Sequence, residues 1–572
     1  MNEKVADTAS GPMDVTEDFL LCNRCGTCRS VCPVFLVLRE EGASARGKVE
    51  LAEAFFKGAE IDERKLQQVF DLCLHCMSCE ESCPSGMRAD GIIMAVRAEM
   101  ARRGLIPRPK RFALRLLETM DNALFKAMRS LGIVRRAPLH GVGGLSPLRV
   151  FFPLLGWPRE RFVPLPKDRP FLGSNPELFE ASGIACVLPG PDEVRRIAAA
   201  RGGTIDPVKA ADLVGRIAVA RERNLAGHRR AYFFVGHAVN HFFPEEAEAV
   251  VKMLNLLGID VLVPHDQVCC GAPVYYAGDI DGARRQAART LERFAGHRYD
   301  WIVTSCSSGG LMLKREFPRL FDLTTDGFFE IAWDEEMETF RRVPDASATR
   351  RAHPRAGDIY REYVKGKVYD INELLAELLS FHEEAHGLDA LFGAAAGNSW
   401  DRGGSAEVGG PAKVPGGGAS TSAGGTSEGT GEFTGMLPIV TYHHPCHLNR
   451  GQAVVWQPES LLRALPGHRY VAMQDADRCC GGGGTFTFMH ADAAEEIAVA
   501  KLDAVGKVRP DVVATSCPVC RIQLMDMLHR RFVLQAGERG EEVRRIPVKT
   551  PVELLLEDLG AVVGMADAGV VA

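Results

Sequence analysis

Cys22, Cys25, Cys28 and Cys32 are followed by Pro33, and Cys73, Cys76, Cys79 and Cys83 by Pro84. Both runs read C-x-x-C-x-x-C-x-x-x-C-P, a spacing that suits iron–sulfur ligation. Three thiolates so placed wrap one [4Fe-4S] cluster, and the fourth, turned away by the proline after it, reaches a second cluster. On that wiring Cys22, Cys25, Cys28 and Cys83 hold one cluster, and Cys73, Cys76, Cys79 and Cys32 hold its neighbour. A pair of zinc knuckles is the alternative, but zinc sites rarely show two identical four-cysteine runs closed by proline.

A second set of thiols lies in a duplicated half. AYFFVGH ending at His237, Cys269-Cys270-Gly271 and DWIVTSCSSG ending at Gly309 can be laid over PIVTYHHPC ending at Cys446, Cys479-Cys480-Gly481 and DVVATSCPVC ending at Cys520. Each copy closes on a similar amphipathic stretch, DINELLAEL or TPVELLLEDL. The later copy supplies Cys446, Cys479, Cys480, Cys517 and Cys520. Adjacent cysteines fit one tetrahedral zinc poorly, so this set suits a larger, irregular iron–sulfur core, with structural zinc as the alternative. Gly481 to Gly484 remove side chains where backbone must pass close to that core or its substrate. The earlier copy is degenerate: His237 and Gly309 replace two of the cysteines, leaving His237, Cys269, Cys270 and Cys306 as candidate ligands of a cluster, a zinc ion or nothing. Cys186 stands alone and reads as a buried apolar residue.

The elements that must position these thiols follow from hydrophobic patterning. In each copy a β-rich run such as YFFV or IVTY precedes the first ligand position, then come a helical pattern (PEEAEAVVKMLNLLG in the first copy) and a second strand-like run (IDVLVP). Alternating strands and helices predict small α/β units with ligands at strand ends. The chain is expected to be multidomain α/β, with an N-terminal helical dicluster [4Fe-4S] ferredoxin-like domain over 18–105. A basic connecting region follows over 106–229, then a degenerate first cysteine-rich domain over 230–385, a Gly/Ser-rich linker over 386–435 and a complete second cysteine-rich domain over 436–565. Between the two cysteine runs, Arg46 and Lys48 of the SARGK segment read either as solvated charges or as an offset to cluster charge. Arg111 to Arg136 reads as an amphipathic basic helix, packed on the next domain or docking a partner or an anionic membrane surface. Residues 394–435 are rich in Gly, Ser, Thr and Ala and are expected to be a flexible linker or disordered loop.

At 572 residues the chain exceeds a single core. Its net charge of −6 argues against a general nucleic-acid binder, and 17 cysteines clustered in short spacings point to metal rather than disulfides. No secretory pattern opens the chain, and no apolar run is long enough to span a bilayer, so the expectation is a cytoplasmic protein, or one peripheral to the inner face of the membrane. No G-x-G-x-x-G follows a strand and no Walker motif is present, so neither flavin nor nicotinamide is expected on this chain.

Together the two cysteine runs and the repeat resemble the iron–sulfur subunit of glycolate oxidase and its relatives. Those relatives include an iron–sulfur component of anaerobic glycerol-3-phosphate dehydrogenase and the catalytic components of heterodisulfide reductase. SARGK and CPSG look like the glycolate oxidase branch, and the C-terminal copy spells the cysteine-rich motif in full. The resemblance implies a third centre, a non-cubane [4Fe-4S] cluster, on Cys446, Cys479, Cys480, Cys517 and Cys520. Two functions follow. One is an electron-transfer subunit of a flavin-dependent 2-hydroxyacid dehydrogenase of lactate or glycolate type, with a flavoprotein partner and a membrane quinone-reducing subunit or another carrier as acceptor. The other is a heterodisulfide-reductase-like enzyme with a thiol-carrier partner, in which Cys479 and Cys480 are catalytic. A metal-stabilised scaffold is the third reading, and the full dicluster module disfavours it.

Overall fold

The computed structural model describes residues 15–106, 111, 114, 166–167, 169–181, 188–201, 203–321, 330–334, 339–343, 355–382, 436–484 and 486–563. Cys186, the stretch 394–435 and the expected basic helix, apart from Arg111 and Leu114, lie outside them.

The N-terminal segment is helical. Pro33 cannot continue a preceding helix and disfavours helical backbone in the residue before it. The short helix Thr27–Val31 therefore stops, Cys32 takes an extended conformation (φ −73°, ψ 112°), and Pro33–Leu38 starts anew. That break turns Cys32 away from its own run. The helix Ala45–Phe56 is capped by Ser44, whose Oγ accepts from the Gly47 N–H at 3.0 Å. A Cβ on Gly47 would stand 2.2 Å from the Glu41 carbonyl oxygen, which accounts for the glycine of SARGK. Val49, Ala52 and Phe55 of this helix pack with Leu66, Phe70, Ile92 and Val96 of the helices Glu63–Asp71 and Ala89–Arg102.

The strands are β1 (Leu178–Phe179), β2 (Arg230–Phe233), β3 (Asp260–Leu262), β4 (Trp301–Thr304), β5 (Glu330–Asp334), β6 (Thr339–Val343), β7 (Val368–Asp370), β8 (Ile439–His443), β9 (Arg469–Tyr470), β10 (Val512–Thr515) and β11 (Val548–Lys549). The first sheet has the order β1-β3-β2-β4-β7 and the second β11-β10-β8-β9, while β5 and β6 form an antiparallel hairpin. All pairs in the two larger sheets are parallel except β1 with β3. Without β1 the two sheets have one order: β2, β3, β4 and β7 take the places of β8, β9, β10 and β11. The duplication is thus structural, with β1 as an added edge of the first copy. The apolar strand runs are buried, as parallel sheets covered by helices require.

The copies are not separate bodies. The helices Pro244–Leu256 and Ile371–Leu378 of the first pack against Trp456–Arg463 and Pro551–Val563 of the second. One core runs from Val250, Leu254 and Leu375 to Leu461, Leu462, Leu555 and Leu559. The helix Pro207–Ala226, from the expected connecting region, adds Leu213, Val214 and Ile217 to it. Among the described residues no helix is long and apolar enough to cross a membrane.

Candidate metal centres

Two cavities in the helical segment collect the first eight cysteines. One is lined by Cys22, Cys25, Cys28 and Cys83 with Arg46, the other by Cys32, Cys73, Cys76 and Cys79 with Lys48. Each cavity therefore takes three thiols from one run and the last thiol of the other. The loops that carry the threes are conformationally alike: Arg24 and Gly26 in one, His75 and Met77 in the other, all have positive φ. Cys25 Sγ lies 3.3 Å from Thr27 Oγ1 and Cys76 Sγ 3.4 Å from Ser78 Oγ, again at matching positions. The Thr27 hydrogen bond holds the exposed Cys25 thiol below its usual range, whereas burial pushes Cys79 up and Cys76 up to about 12. Thiols pushed up by burial give up their protons most readily to a cation, so four cysteines gathered around one cavity fit a metal cluster. Lys48 is 2% exposed and donates to the Gly42 and Ala43 carbonyls at 3.0 and 2.6 Å, a buried cation beside the second cavity. Arg46, partly exposed, binds Glu41 at 2.7 Å.

The five thiols of the second repeat converge beyond the carboxyl ends of β8, β9 and β10, where open parallel sheets bind their ligands. Cys479 shares hydrogen bonds with Cys446 and Cys480, Cys480 with Cys520, and Cys520 with Cys517. The set is continuous. These shared hydrogen bonds and burial push the Cys446, Cys480 and Cys520 thiols up, while hydrogen bonds from their neighbours hold Cys479 and Cys517 below the usual thiol range. Soft, buried sulfur donors that already share protons fit an iron–sulfur core, which would take the place of those protons. The turn that carries the paired cysteines is tight: Gly481 has φ +82°, and a Cβ there would lie 2.5 Å from the Ala494 carbonyl. Its N–H points to Cys479 Sγ at 3.4 Å.

His443, the last residue of β8, joins this set and was not among the residues singled out from the sequence. One of its ring nitrogens lies with the sulfurs of Cys480 and Cys520 in a group whose members are all within 4.8 Å of one another. Burial holds its imidazole neutral, well below the usual range. The readable signal was its place three residues before Cys446, at the end of the strand run IVTYH. In the first repeat Cys269 and Cys270 are likewise adjacent and interacting, and the Gly271 N–H reaches Cys269 Sγ at 3.4 Å. Burial pushes the Cys306 thiol up, and repulsion from Cys517 and Cys270 adds to it, so Cys306 faces the second repeat. His237 begins the helix His237–Phe242, and Gly309 lies against Cys306.

The three parts meet at one seam. Cys76 of the second cavity feels the charge of Cys479, and Leu74, Cys76, Cys479 and Phe486 share an apolar cluster. A Cβ on Gly483 would stand 2.1 Å from Leu74 Cδ2, which explains a second glycine of the GGGG run. His447 Nε2 donates to the His75 carbonyl at 3.0 Å, so its Nδ1 accepts from the Ser308 hydroxyl at 2.9 Å. One imidazole thus bridges the helical segment and both repeats. Arg97 reaches the Tyr276 carbonyl at 2.7 Å, and Arg450 binds both Glu81 and Asp477.

Fold and centres together define an iron–sulfur chain with one dicluster ferredoxin-type segment and a pair of cysteine-rich units. The family described as 4Fe-4S dicluster domain matches residues 18–87, and the family described as Cysteine-rich domain matches twice, at 231–314 and 440–525. The chain is similar to "Probable glycolate oxidase iron-sulfur subunit" of Bacillus subtilis, 21% identical over 89% of this chain and 88% of that one. It is 25% identical to a component of the fumarate reductase (CoM/CoB) of Methanothermobacter marburgensis over 53% of this chain and 42% of the relative, so it spans less than half that protein's length. "Lactate utilization protein A" of Geobacillus thermodenitrificans is 24% identical over 50% of this chain and 85% of its own.

Proposed function

We propose that the chain is the iron–sulfur electron-transfer subunit of a flavin-dependent 2-hydroxyacid dehydrogenase complex, taking electrons from a partner flavoprotein and passing them to quinone or another carrier. The observation that carries this reading is the similarity to the "Probable glycolate oxidase iron-sulfur subunit", which extends over 89% of this chain and 88% of that one. When bound, the clusters supply one-electron transfer. The chain's own residues set where that occurs. The extended backbone at Cys32 crosses the ligand sets so that the two cavities are neighbours. Leu74 and Phe486 pack in one buried apolar cluster with Cys76 of the second cavity and Cys479. We assign Cys22, Cys25, Cys28 and Cys83 to one [4Fe-4S] cluster, Cys32, Cys73, Cys76 and Cys79 to another, and Cys446, Cys479, Cys480, Cys517 and Cys520 to a third centre of iron–sulfur type.

A second reading, thiol–disulfide reduction at the C-terminal centre, is favoured by the low-lying Cys479 and Cys517 thiols and by Cys306 facing them from the other repeat. The two readings separate in one assay. Under the first, the purified chain oxidises no 2-hydroxyacid alone, and its cognate flavoprotein restores electron flow to a dye or quinone. Cleavage of a thiol-carrier disulfide by the chemically reduced chain alone would replace the relay with the reductase.

A further inference from the structure

His443 is a buried histidine with an unmet demand. Its side chain lies at the carboxyl end of β8, inside the second sheet, and is 1% exposed. Neither ring nitrogen makes a well-formed hydrogen bond, and the one backbone group close enough to favour its protonated form is the Ala476 carbonyl. The nearby Ala476 carbonyl is already used twice, by the His444 N–H at 3.0 Å and by Lys501 Nζ at 2.9 Å. A buried imidazole in a packed core ordinarily satisfies its polar atoms. The next residue behaves that way: His444 Nε2 pairs with Glu459 Oε1 at 2.8 Å. His443 instead faces sulfur, with a ring nitrogen in the same tight group as Cys480 Sγ and Cys520 Sγ.

We propose that His443 is a sixth protein ligand of the C-terminal centre, giving a ring nitrogen to iron beside Cys480 and Cys520. The proposal rests on the reading that an iron–sulfur core occupies this site. The Cys480 and Cys520 thiols release their protons to solvent as iron binds, while the coordinating nitrogen of the neutral imidazole gives its lone pair and loses no proton. Metal coordination supplies the polar partner that the protein denies this ring. Replacing a thiolate by imidazole removes negative charge from the ligand shell and raises the potential of a cluster, so this centre lies higher than an all-thiolate version of itself.

The test uses the full-length chain, purified without oxygen, with natural-abundance or 15N-labelled histidine. Pulsed paramagnetic resonance on the signal of the C-terminal centre is expected to show a nitrogen coupling that changes with the histidine label and disappears in His443→Gln. His443→Cys is expected to retain iron and sulfide, lose the coupling and move the midpoint potential of that centre down, with the two N-terminal clusters unchanged. A centre rich in iron and sulfide whose spectrum ignores the histidine label would overturn the ligand role and leave the cluster reading standing. Zinc without sulfide would overturn the cluster reading, and the iron-ligand role with it. Even where a variant fails to fold, a labelled wild-type chain that shows no nitrogen coupling overturns the ligand role.

Discussion

Lys48 and Lys501 show how single residues adjust these centres. Each is an almost fully buried lysine whose ammonium donates to two backbone carbonyls, Gly42 and Ala43 for Lys48, Asp475 and Ala476 for Lys501. Burial pulls the Lys48 ammonium down, while Cys73 and Cys32 work the other way. A cation so placed is compensated by the negative charge that thiolates and a cluster carry. Cluster potential depends on net charge and exposure, so Lys48→Met is expected to lower the midpoint potential of the cluster on Cys32, Cys73, Cys76 and Cys79. A unit charge about 6 Å away at an effective dielectric near 20 contributes about 3 kcal/mol, roughly 130 mV for one electron. Arg46→Gln at the other cavity is expected to change less, because Arg46 is partly exposed and already paired with Glu41. A redox titration followed by paramagnetic resonance checks both, and equal shifts would show that burial of the charge is not what matters.

At the scale of elements, the two repeats finish alike. At the end of β7, Asp370 caps the helix Ile371–Leu378 in a capping box with Glu373, and after β11, Thr550 and Glu553 bond reciprocally at the start of Pro551–Val563. Each acid then takes a cation, Lys314 for Glu373 and Arg521 for Glu553, supplied from different positions of the two copies. Asp370 differs from Thr550 in being titratable. Its Oδ1 accepts from Asn372 N and Nδ2 at 2.9 and 2.7 Å, its Oδ2 has no partner, and burial raises its carboxyl to about 7. The folded value lies above the unfolded one, so the contribution of Asp370 to stability is full below about pH 4 and is lost as pH rises to about 7. The whole change is about 4 kcal/mol at most. Asp370→Asn keeps the Oδ1 acceptor and cannot ionise. Its stability advantage over the wild type is expected to grow from pH 5 to pH 7 in anaerobic thermal unfolding and to stay level above that. An advantage that ignores pH would show that the carboxyl titrates normally.

Across the whole molecule, a buried charge group joins the copies. Arg521 of the second repeat bonds Glu246 of the first at 3.1 Å and Glu553 of its own copy at 3.0 Å, donates to the Val548 carbonyl and lies over the Phe243 ring. Glu246 is fully buried, and burial raises its carboxyl to about 8 against the opposing pull of Arg521. Removing the cation alone leaves two buried acids uncompensated. Arg521→Met is therefore expected to cost about 3–5 kcal/mol of stability. Glu246→Gln is expected to cost clearly less, since it removes a charge that burial already disfavours. Denaturant unfolding of the two variants checks the order, and the reverse order would mean that Glu246 rather than Arg521 holds the repeats together.

Local spacing made much of this protein legible in its sequence. The cluster-binding runs had to show themselves, because three thiols on one short loop need fixed intervals and the proline after the fourth dictates its backbone. The fold class was legible for a related reason: apolar strand runs alternating with helical periodicity describe α/β units whatever they pack against. Periodicity does not name a helix's partner, so the core shared between the repeats, and the place of Pro207–Ala226 within it, were decided only when the sheets were apposed. His447 shows the same limit, since its two hydrogen bonds reach residues 372 and 139 positions away. His443 shows it most sharply. Its chemistry depends on Cys480 and Cys520, brought to it by the parallel order of β9, β8 and β10, and on a carbonyl already taken by other donors. Thiol spacing along the chain carries the ligands of the clusters, whereas an imidazole acquires its role from what surrounds it in space.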